Sequence, residues 1–262
     1  MDDAQIKDMV RARYGGIAAA ADASCCAPAA SSCCGPETAP HDKALRMGYS
    51  EAELAAVPEG ANLGLGCGNP QAIAALEPGE VVIDLGSGAG FDCFLAARQV
   101  GDSGRVIGID MIHEMLQKAR DNAASIGVSN VEFRLGELEH LPMADNTADV
   151  VISNCVINLV PDKAQVFRES FRVLKPGGRL AVSDIINIAP LPAELRGDPA
   201  LLCGCVAGAA PAERIEAWLS EAGFVDVHVT PNLESREMVE SWASGRGVEN
   251  YIAPAMVEAR KP

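Results

Sequence analysis

Three carboxylates close or follow apolar runs: Asp84 after Val81-Val82-Ile83, Asp110 after Val106-Ile107-Gly108-Ile109, and Glu137 just past Val131-Glu132-Phe133-Arg134-Leu135. Asp84 also opens the run Asp84-Leu85-Gly86-Ser87-Gly88-Ala89-Gly90-Phe91-Asp92, whose three glycines permit tight turns and close backbone approach. A strand that turns through such a loop into a helix wraps a ligand lying across its carboxyl end, and that geometry holds a nucleoside. A dinucleotide fingerprint needs a small residue three positions after the second glycine, and Phe91 stands there. Asp84 would also meet a pyrophosphate with like charge. It suits a cation without phosphates. S-adenosylmethionine, with an ammonium and a sulfonium beside a ribose and an adenine, meets that requirement. Asp110, 20 residues beyond Gly90, is spaced to take both ribose hydroxyls, and Glu137 is the candidate contact toward the adenine edge. The candidate cofactor set is Asp84, Gly86, Ser87, Gly88, Gly90, Asp110, Met111, Glu137 and Asn154.

The elements that must position these groups alternate. Strands are expected over 80–84, 104–110, 131–135, 148–154 and 179–184, with helices over 90–100, 112–126 and 161–173 between them. The βαβα order specifies a Rossmann-like α/β fold with a mostly parallel sheet, helices on both faces and an antiparallel edge strand. A helix from Pro211 to Ala222, a strand over 224–229 and a closing strand from Tyr251 to Ala259 follow. Pro254 cannot donate within a ladder, which predicts an edge or bulged position for the last strand. Residues 6–17 read as a short amphipathic helix, and 18–42 as a flexible Ala, Ser, Pro and Cys arm. The expected division is therefore an amino-terminal helix and arm over 1–42 and a catalytic domain over 43–262, with binding loops at about 60–70 and 185–210. Ser50 and Glu53 form a capping box.

The chain has 262 residues, enough for one substantial core, with 48% hydrophobic and 22% charged residues. Its net charge of −15 and lack of a basic cluster exclude a phosphate backbone as partner. The amino terminus lacks a basic start followed by an apolar stretch, and no apolar run approaches the ~20 residues of a membrane span, so a cytoplasmic location is expected. There the nine cysteines are thiols rather than a disulfide framework. Cys155 follows Val150-Val151-Ile152-Ser153-Asn154 and so lies just past the carboxyl end of a central strand. Cys67, in the loop before the first strand, and Cys205, after the fifth, are each able to fold over the same sheet edge. Cys93, one turn into the helix after the glycine loop, reads as a core residue. The adjacent pairs Cys25-Cys26 and Cys33-Cys34 lack the spacing of a structural zinc site.

Leu65-Gly66-Cys67-Gly68-Asn69-Pro70, the Asp84 to Gly90 loop, Ser153-Asn154-Cys155-Val156-Ile157-Asn158-Leu159 and Cys205-Val206-Ala207-Gly208-Ala209, in that order, strongly resemble the arsenite methyltransferase family over roughly positions 5 to 262. The resemblance implies S-adenosylmethionine-dependent methylation of trivalent arsenic, as arsenite and methylated arsenicals, in arsenic detoxification. It also implies that Cys67, Cys155 and Cys205 bind arsenic and act in catalysis, while an amino-terminal cysteine takes part in thiol exchange. Among the four tail cysteines Cys34, before Gly35, is the candidate. The chain ends after the Tyr251 strand, without the extra carboxyl-terminal region of longer members, and carries Cys203 two residues before Cys205.

Soft trivalent arsenic matches soft thiolates. Its lone pair can attack a sulfonium methyl with no proton to remove, which agrees with His41, His113, His140 and His228 having no motif around them. Reduction of the pentavalent product by nearby thiols, with thioredoxin or glutathione as co-substrate, completes the expected cycle. For the tail cysteines two readings stay open, arsenic capture or disulfide resolution on one side and loose thiols on the other. Tyr14, Asn62 and Asp184 are placed by position alone near the cofactor or the mouth of the site. Two other functions share part of this pattern: methylation of a small organic acceptor such as a quinone precursor, which needs an apolar pocket rather than convergent thiols, and non-catalytic arsenic binding, which needs no nucleoside site.

Overall fold

A computed structural model describes residues 1–21 and 39–262. Its strands are β1 (Val81–Leu85), β2 (Arg105–Asp110), β3 (Val131–Leu135), β4 (Ala148–Asn154), β5 (Leu174–Asn187), β6 (Ala210–Pro211), β7 (Val225–Pro231) and β8 (Ile252–Arg260). Its helices are α1 (Asp3–Ala21), α2 (Pro40–Arg46), α3 (Glu51–Leu54), α4 (Gln71–Ala74), α5 (Phe91–Val100), α6 (His113–Ile126), α7 (Lys163–Val173), α8 (Ala193–Arg196), α9 (Pro199–Leu202), α10 (Ala212–Ala222) and α11 (Arg236–Trp242). The sheet order is β3-β2-β1-β4-β5-β8-β7, with β6 paired to β5. Strands β1 to β5 run parallel, and β8 is antiparallel to both of its neighbours. This is the expected mostly parallel sheet with antiparallel pairing at one edge.

The central strands are covered on both faces, so successive residues enter two apolar layers instead of alternating between core and solvent. Ile83, Leu85 and Val151 pack with Phe167 of α7 and Leu219 of α10. Val82, Val106, Val150 and Ile152 pack with Cys93 and Phe94 of α5 and Leu116 of α6. A third cluster lies beyond the carboxyl ends of the strands and contains Cys67, Cys155, Cys203 and Cys205 among aliphatic side chains. The capping box at α3 is present, with Ser50 and Glu53 each bonding the other's backbone N–H.

Several boundaries differ from expectation for visible reasons. Helix α1 continues past Ile17 because Ala18 has a surface to cover, against Ile112 and Met115. Residues 22–38 of the expected arm, with Cys25, Cys26, Cys33 and Cys34, lie outside the described residues, and its last residues, 40–42, are helical instead, opening α2 with Pro40 in its first turn. Strand β5 continues to Asn187 because β8 pairs with it from Arg179↔Arg260 to Asn187↔Ile252.

The expectation for Pro254 is corrected: β8 lies inside the sheet, one place in from β7, and its ladder with β5 passes through Ile185↔Pro254 without a register shift. The Pro254 carbonyl accepts from the Asn232 N–H on the β7 side. In an extended residue N and C=O point to the same side, so the missing donor also faces β7, whose ladder has already ended at Pro231↔Ala255.

The stretch 190–208 is not wholly irregular. It contains α8 and α9, and Asp198 caps α9 by accepting from the N–H groups of Ala200 and Leu201. Among the described residues no helix is long and apolar enough to cross a membrane.

Candidate active site

The chain passes from β1 to β2 on one side and places β4 on the other, so the order reverses beside β1. Open α/β sheets bind ligands outside the carboxyl ends of strands at such a point. A cavity of about 1160 Å³, measured out to its open mouth, occupies it. The end of β1 and the glycine loop line it with Asp84, Gly86, Ser87 and Gly88. Asp110 and Met111 after β2, and Asn154 and Cys155 after β4, complete the floor.

The floor is built of buried carboxylates. Asp84 is 3% exposed and its Oδ2 accepts from the Cys93 thiol at 3.2 Å. Burial and then the neighbouring Asp92 charge push its carboxyl well above the usual range. Asp92, in the first turn of α5, accepts from the Tyr49 hydroxyl at 2.8 Å and from Asn154 Nδ2 at 3.2 Å. Burial raises it too, and these bonds oppose the rise. Asp110 accepts from the N–H groups of Gly88 and Ile112, both at 2.9 Å, and burial lifts it to about 6.

None of these three acids is in an ion pair among the described residues, and no arginine lines the cavity. Lys7 does line it, but is neutralised by Glu137 and Glu139 at 2.6 and 3.0 Å. Buried acids left without a cation fit a ligand that brings positive charge, and they repel phosphate. That donor set fits S-adenosylmethionine.

The thiols are assembled by the loops around β4. Asn154 accepts from the Cys67 N–H at 3.0 Å and donates to the Gly68 carbonyl at 2.9 Å, so it pins the Cys67 loop to the end of β4. The closeness of that approach shows at Gly66, where a Cβ would lie 2.7 Å from Asn154 Nδ2, and at Gly68, where one would displace the Ser183 hydroxyl. The Cys155 N–H bonds to the Ser183 carbonyl at 2.8 Å. From the far loop the Cys205 thiol donates to the Cys155 carbonyl at 3.1 Å.

The sulfurs of Cys67 and Cys155 and a carboxylate oxygen of Asp184 all lie within 4.8 Å of one another. Asp184 itself is committed. It accepts from the N–H groups of Ile157, Asn158 and Ile185 and from Asn158 Nδ2, and so fixes the turn that follows Cys155. Burial lifts Asp184 to about 6. Burial also raises the Cys67 thiol, and hydrogen bonds with Cys205 and Cys67, then burial, raise Cys155 strongly. The thiol site abuts the glycine loop directly: a Cβ on Gly86 would lie 2.6 Å from a methyl of Val156.

The expected residues are not all gathered here. Glu137 turns away from the cavity to Lys7 and Arg11 of α1, and Glu139 lines it instead. Gly90 caps α5 with φ 92 and supports the loop from behind. The Ser87 hydroxyl lies over Gly108 and has no partner among the described residues. Tyr14 and Asn62 line the cavity, whereas Asp184 sits beneath the thiols. No histidine lines it. Cys93 is fully buried as expected, yet its thiol also bonds Asp84.

Residues missed at the sequence level are Asp92, Tyr49 and Glu139. For Asp92 a signal existed, since it closes the glycine run one position into the helix. For Tyr49, which reaches the site from the loop after α2, there was none.

A profile for a methyltransferase domain matches residues 76–223. With this sheet order, the glycine loop and its acids, it defines a methyltransferase of the S-adenosylmethionine-dependent class. The arsenite methyltransferase of Halobacterium salinarum is 50% identical over 266 aligned residues, which cover 100% of this chain and 68% of that protein. The arsenite methyltransferase of Homo sapiens is 41% identical over 162 residues, 58% of this chain and 43% of that protein. The crystal structure of an arsenic(III) S-adenosylmethionine methyltransferase from Chlamydomonas reinhardtii superposes with a TM-score of 0.67 at 36% identity, covering 80% of this chain and 71% of that one. The chain belongs to the arsenite methyltransferase family.

Proposed function

We propose that this protein transfers a methyl group from S-adenosylmethionine to trivalent arsenic held by Cys67, Cys155 and Cys205. The observation that carries the reading is that the Cys67 and Cys155 sulfurs lie within 4.8 Å of each other while the Cys205 thiol reaches the Cys155 carbonyl at 3.1 Å, beside a cavity floored by unpaired buried acids. A site for a small organic acceptor has no use for convergent thiols, and an arsenic-sequestering protein has no use for the nucleoside cavity.

The thiol electrostatics suit the capture step. Arsenite is neutral As(OH)₃, and condensation with three thiols forms three As–S bonds while each thiol proton leaves with a hydroxyl as water. The site is uncharged before and after. The burial that keeps the Cys67 thiol protonated, and the hydrogen bonds with Cys205 and Cys67 that together with burial do so for Cys155, therefore favour capture, because no buried thiolate has to form.

When bound, S-adenosylmethionine supplies an electrophilic methyl. Asp84 and Asp92 offer their charge to its ammonium, and Asp110 to its ribose hydroxyls. Sulfur-bound arsenic keeps a lone pair, so the chain's work is to hold it in line with the methyl rather than to move a proton. Methyl transfer raises arsenic from the trivalent to the pentavalent state. Two cysteine sulfurs then leave as a disulfide and return two electrons to arsenic, water supplies a hydroxide to the vacated position and releases a proton, and a thioredoxin or glutathione system reopens the disulfide. Cys34 is the proposed additional thiol of this exchange. The setting is cytoplasmic and the outcome arsenic detoxification.

Transfer of labelled methyl from S-adenosylmethionine to arsenite tests the reading. Labelled methylarsenic that depends on a thiol reductant supports it. Arsenite binding without turnover would replace it with sequestration, and labelling of a quinone precursor but not of arsenite would replace it with C- or O-methylation.

A further inference from the structure

Helix α1 lies along the donor cavity, packs Val10 and Met9 into the apolar cluster around the thiols, and makes a side-chain hydrogen bond there through Tyr14. Lys7, Val10 and Tyr14 follow helical spacing, share a face and all line the cavity. Lys7 and Arg11 anchor the helix to Glu137, at 2.6 and 2.7 Å. Tyr14 goes further: its hydroxyl donates to the carbonyl of Cys203 at 2.9 Å, across 189 residues of sequence.

That carbonyl has a defined place. Cys203 caps the carboxyl end of α9, where helix carbonyls have no partner within the helix. Two residues on, Cys205 takes a left-handed φ of 63 and aims its thiol at the Cys155 carbonyl. The N–H groups of Cys203, Gly204 and Cys205 bond back to Pro199, Ala200 and Leu202, so α9 and the cysteine turn form one unit. The hydroxyl of Tyr14 is the tie from α1 to that unit. Burial holds the phenol far above its ordinary range, so it remains a donor.

We propose that Tyr14 is a positioning residue coupling the two half-sites: a ligand in the donor cavity seats α1, and seated α1 holds the Cys203 to Cys205 turn with its thiol toward Cys155. Only Val10 and Ala18 of α1 are fully buried among its described residues. An element with so few buried contacts opens at low free energy, which gives a ligand something to bias. The importance of the coupling for catalysis rests on the reading of Cys205 as an arsenic ligand; its existence does not.

The test is the alkylation rate of Cys205 by iodoacetamide in the full chain, followed by peptide mass spectrometry with and without S-adenosylhomocysteine. In the native chain the nucleoside slows Cys205 labelling about tenfold, within the usual range of coupling between sites. Tyr14→Phe keeps the ring and its packing but loses the donor. Its protection falls below about twofold while its circular dichroism and melting temperature stay native. Equal protection in both proteins, or none in the native chain, overturns the proposal. Labelling needs no arsenic, so Tyr14-dependent protection in a chain that fails to methylate arsenite would sink the functional reading and leave the coupling standing.

Discussion

The thiol of Cys205 donates to the carbonyl of Cys155 at 3.1 Å, and both residues hold left-handed backbone, with φ of 63 and 57. A side chain with a Cβ in that region costs roughly 1–2 kcal/mol, and such strain persists where surrounding structure enforces it. Here the enforcement is visible. The Cys155 N–H is held by Ser183, and the turn after it by three donors from Ile157 and Asn158 to Asp184. The Cys205 turn is packed so closely that a Cβ on Gly208 would collide with the Asn158 carbonyl. Strain of this kind, held by its surroundings at two facing cysteines, is what the proposed arsenic site would require.

Replacing either thiol should separate the two half-sites. In Cys155→Ser and Cys205→Ser the hydroxyl is a hard ligand, and arsenite methylation is expected to fall by about a hundredfold or more, on the scale of losses from misplacing a reacting atom. Affinity for S-adenosylhomocysteine by calorimetry should stay within about twofold. A variant that loses both has unfolded or has a different site.

The buried acids give a prediction with opposite signs. Asp84→Asn removes a charge that burial and then Asp92 make unfavourable, so the ligand-free protein should melt at a higher temperature near neutral pH. The same change should weaken S-adenosylmethionine binding about ten- to a hundredfold, the usual worth of a charged hydrogen bond. Calorimetry and thermal melts on one preparation check both. Asp92→Asn should behave alike, though its bonds from Tyr49 and Asn154 make the gain in melting temperature smaller.

Stability should also fall with rising pH over an unusual window. Asp110 and Asp184 are lifted to about 6 in the fold, against 3.8 unfolded. Around and between those values the folded chain holds more protons than the unfolded one, so the stability of the ligand-free protein declines as pH rises from about 3 to 7, by about 3 kcal/mol for each group, most of it between about 4 and 6. Denaturant titrations across that range should show the decline. Asp110→Asn should show a shallower slope whatever its overall stability.

The glycine loop offers a steric test. Gly86 has φ 71, and an added Cβ would lie 2.6 Å from Val156, the residue after Cys155. Gly86→Ala should therefore cost at least about 1–3 kcal/mol in urea melts, from overpacking and backbone strain together. It should also reduce methylation by more than it reduces nucleoside affinity, because the displaced residue borders the thiol site.

Much of this was legible before any coordinates. The apolar runs and glycine punctuation placed β1, β2 and β4 and their helices because those strands are buried on both faces and read as nearly continuous apolar stretches, while the edge strand β3 was legible from its alternation of apolar and charged residues. Cys67, Cys155 and Cys205 were legible through their motifs, and the fold does bring their loops together. Glu137 was expected in the cavity because of its place after β3, but the cations of α1 claim it, and no local pattern reveals a partner about 130 residues away. Pro254 misled because its missing donor happens to face the end of the β7 ladder. Tyr14 was placed near the site by position, though its bond to Cys203 was not legible, while Tyr49 and Glu139 owe their roles to tertiary contact and carry no signal in their own segments.

The central claim is that three sulfurs share one arsenic atom, and X-ray absorption at the arsenic edge of the arsenite complex measures that count. The account predicts an all-sulfur first shell of three atoms in the native chain, with one sulfur replaced by oxygen in each of Cys67→Ser, Cys155→Ser and Cys205→Ser. A native shell that retains its hydroxyl oxygens, or a sulfur count untouched by Cys155→Ser, would contradict it.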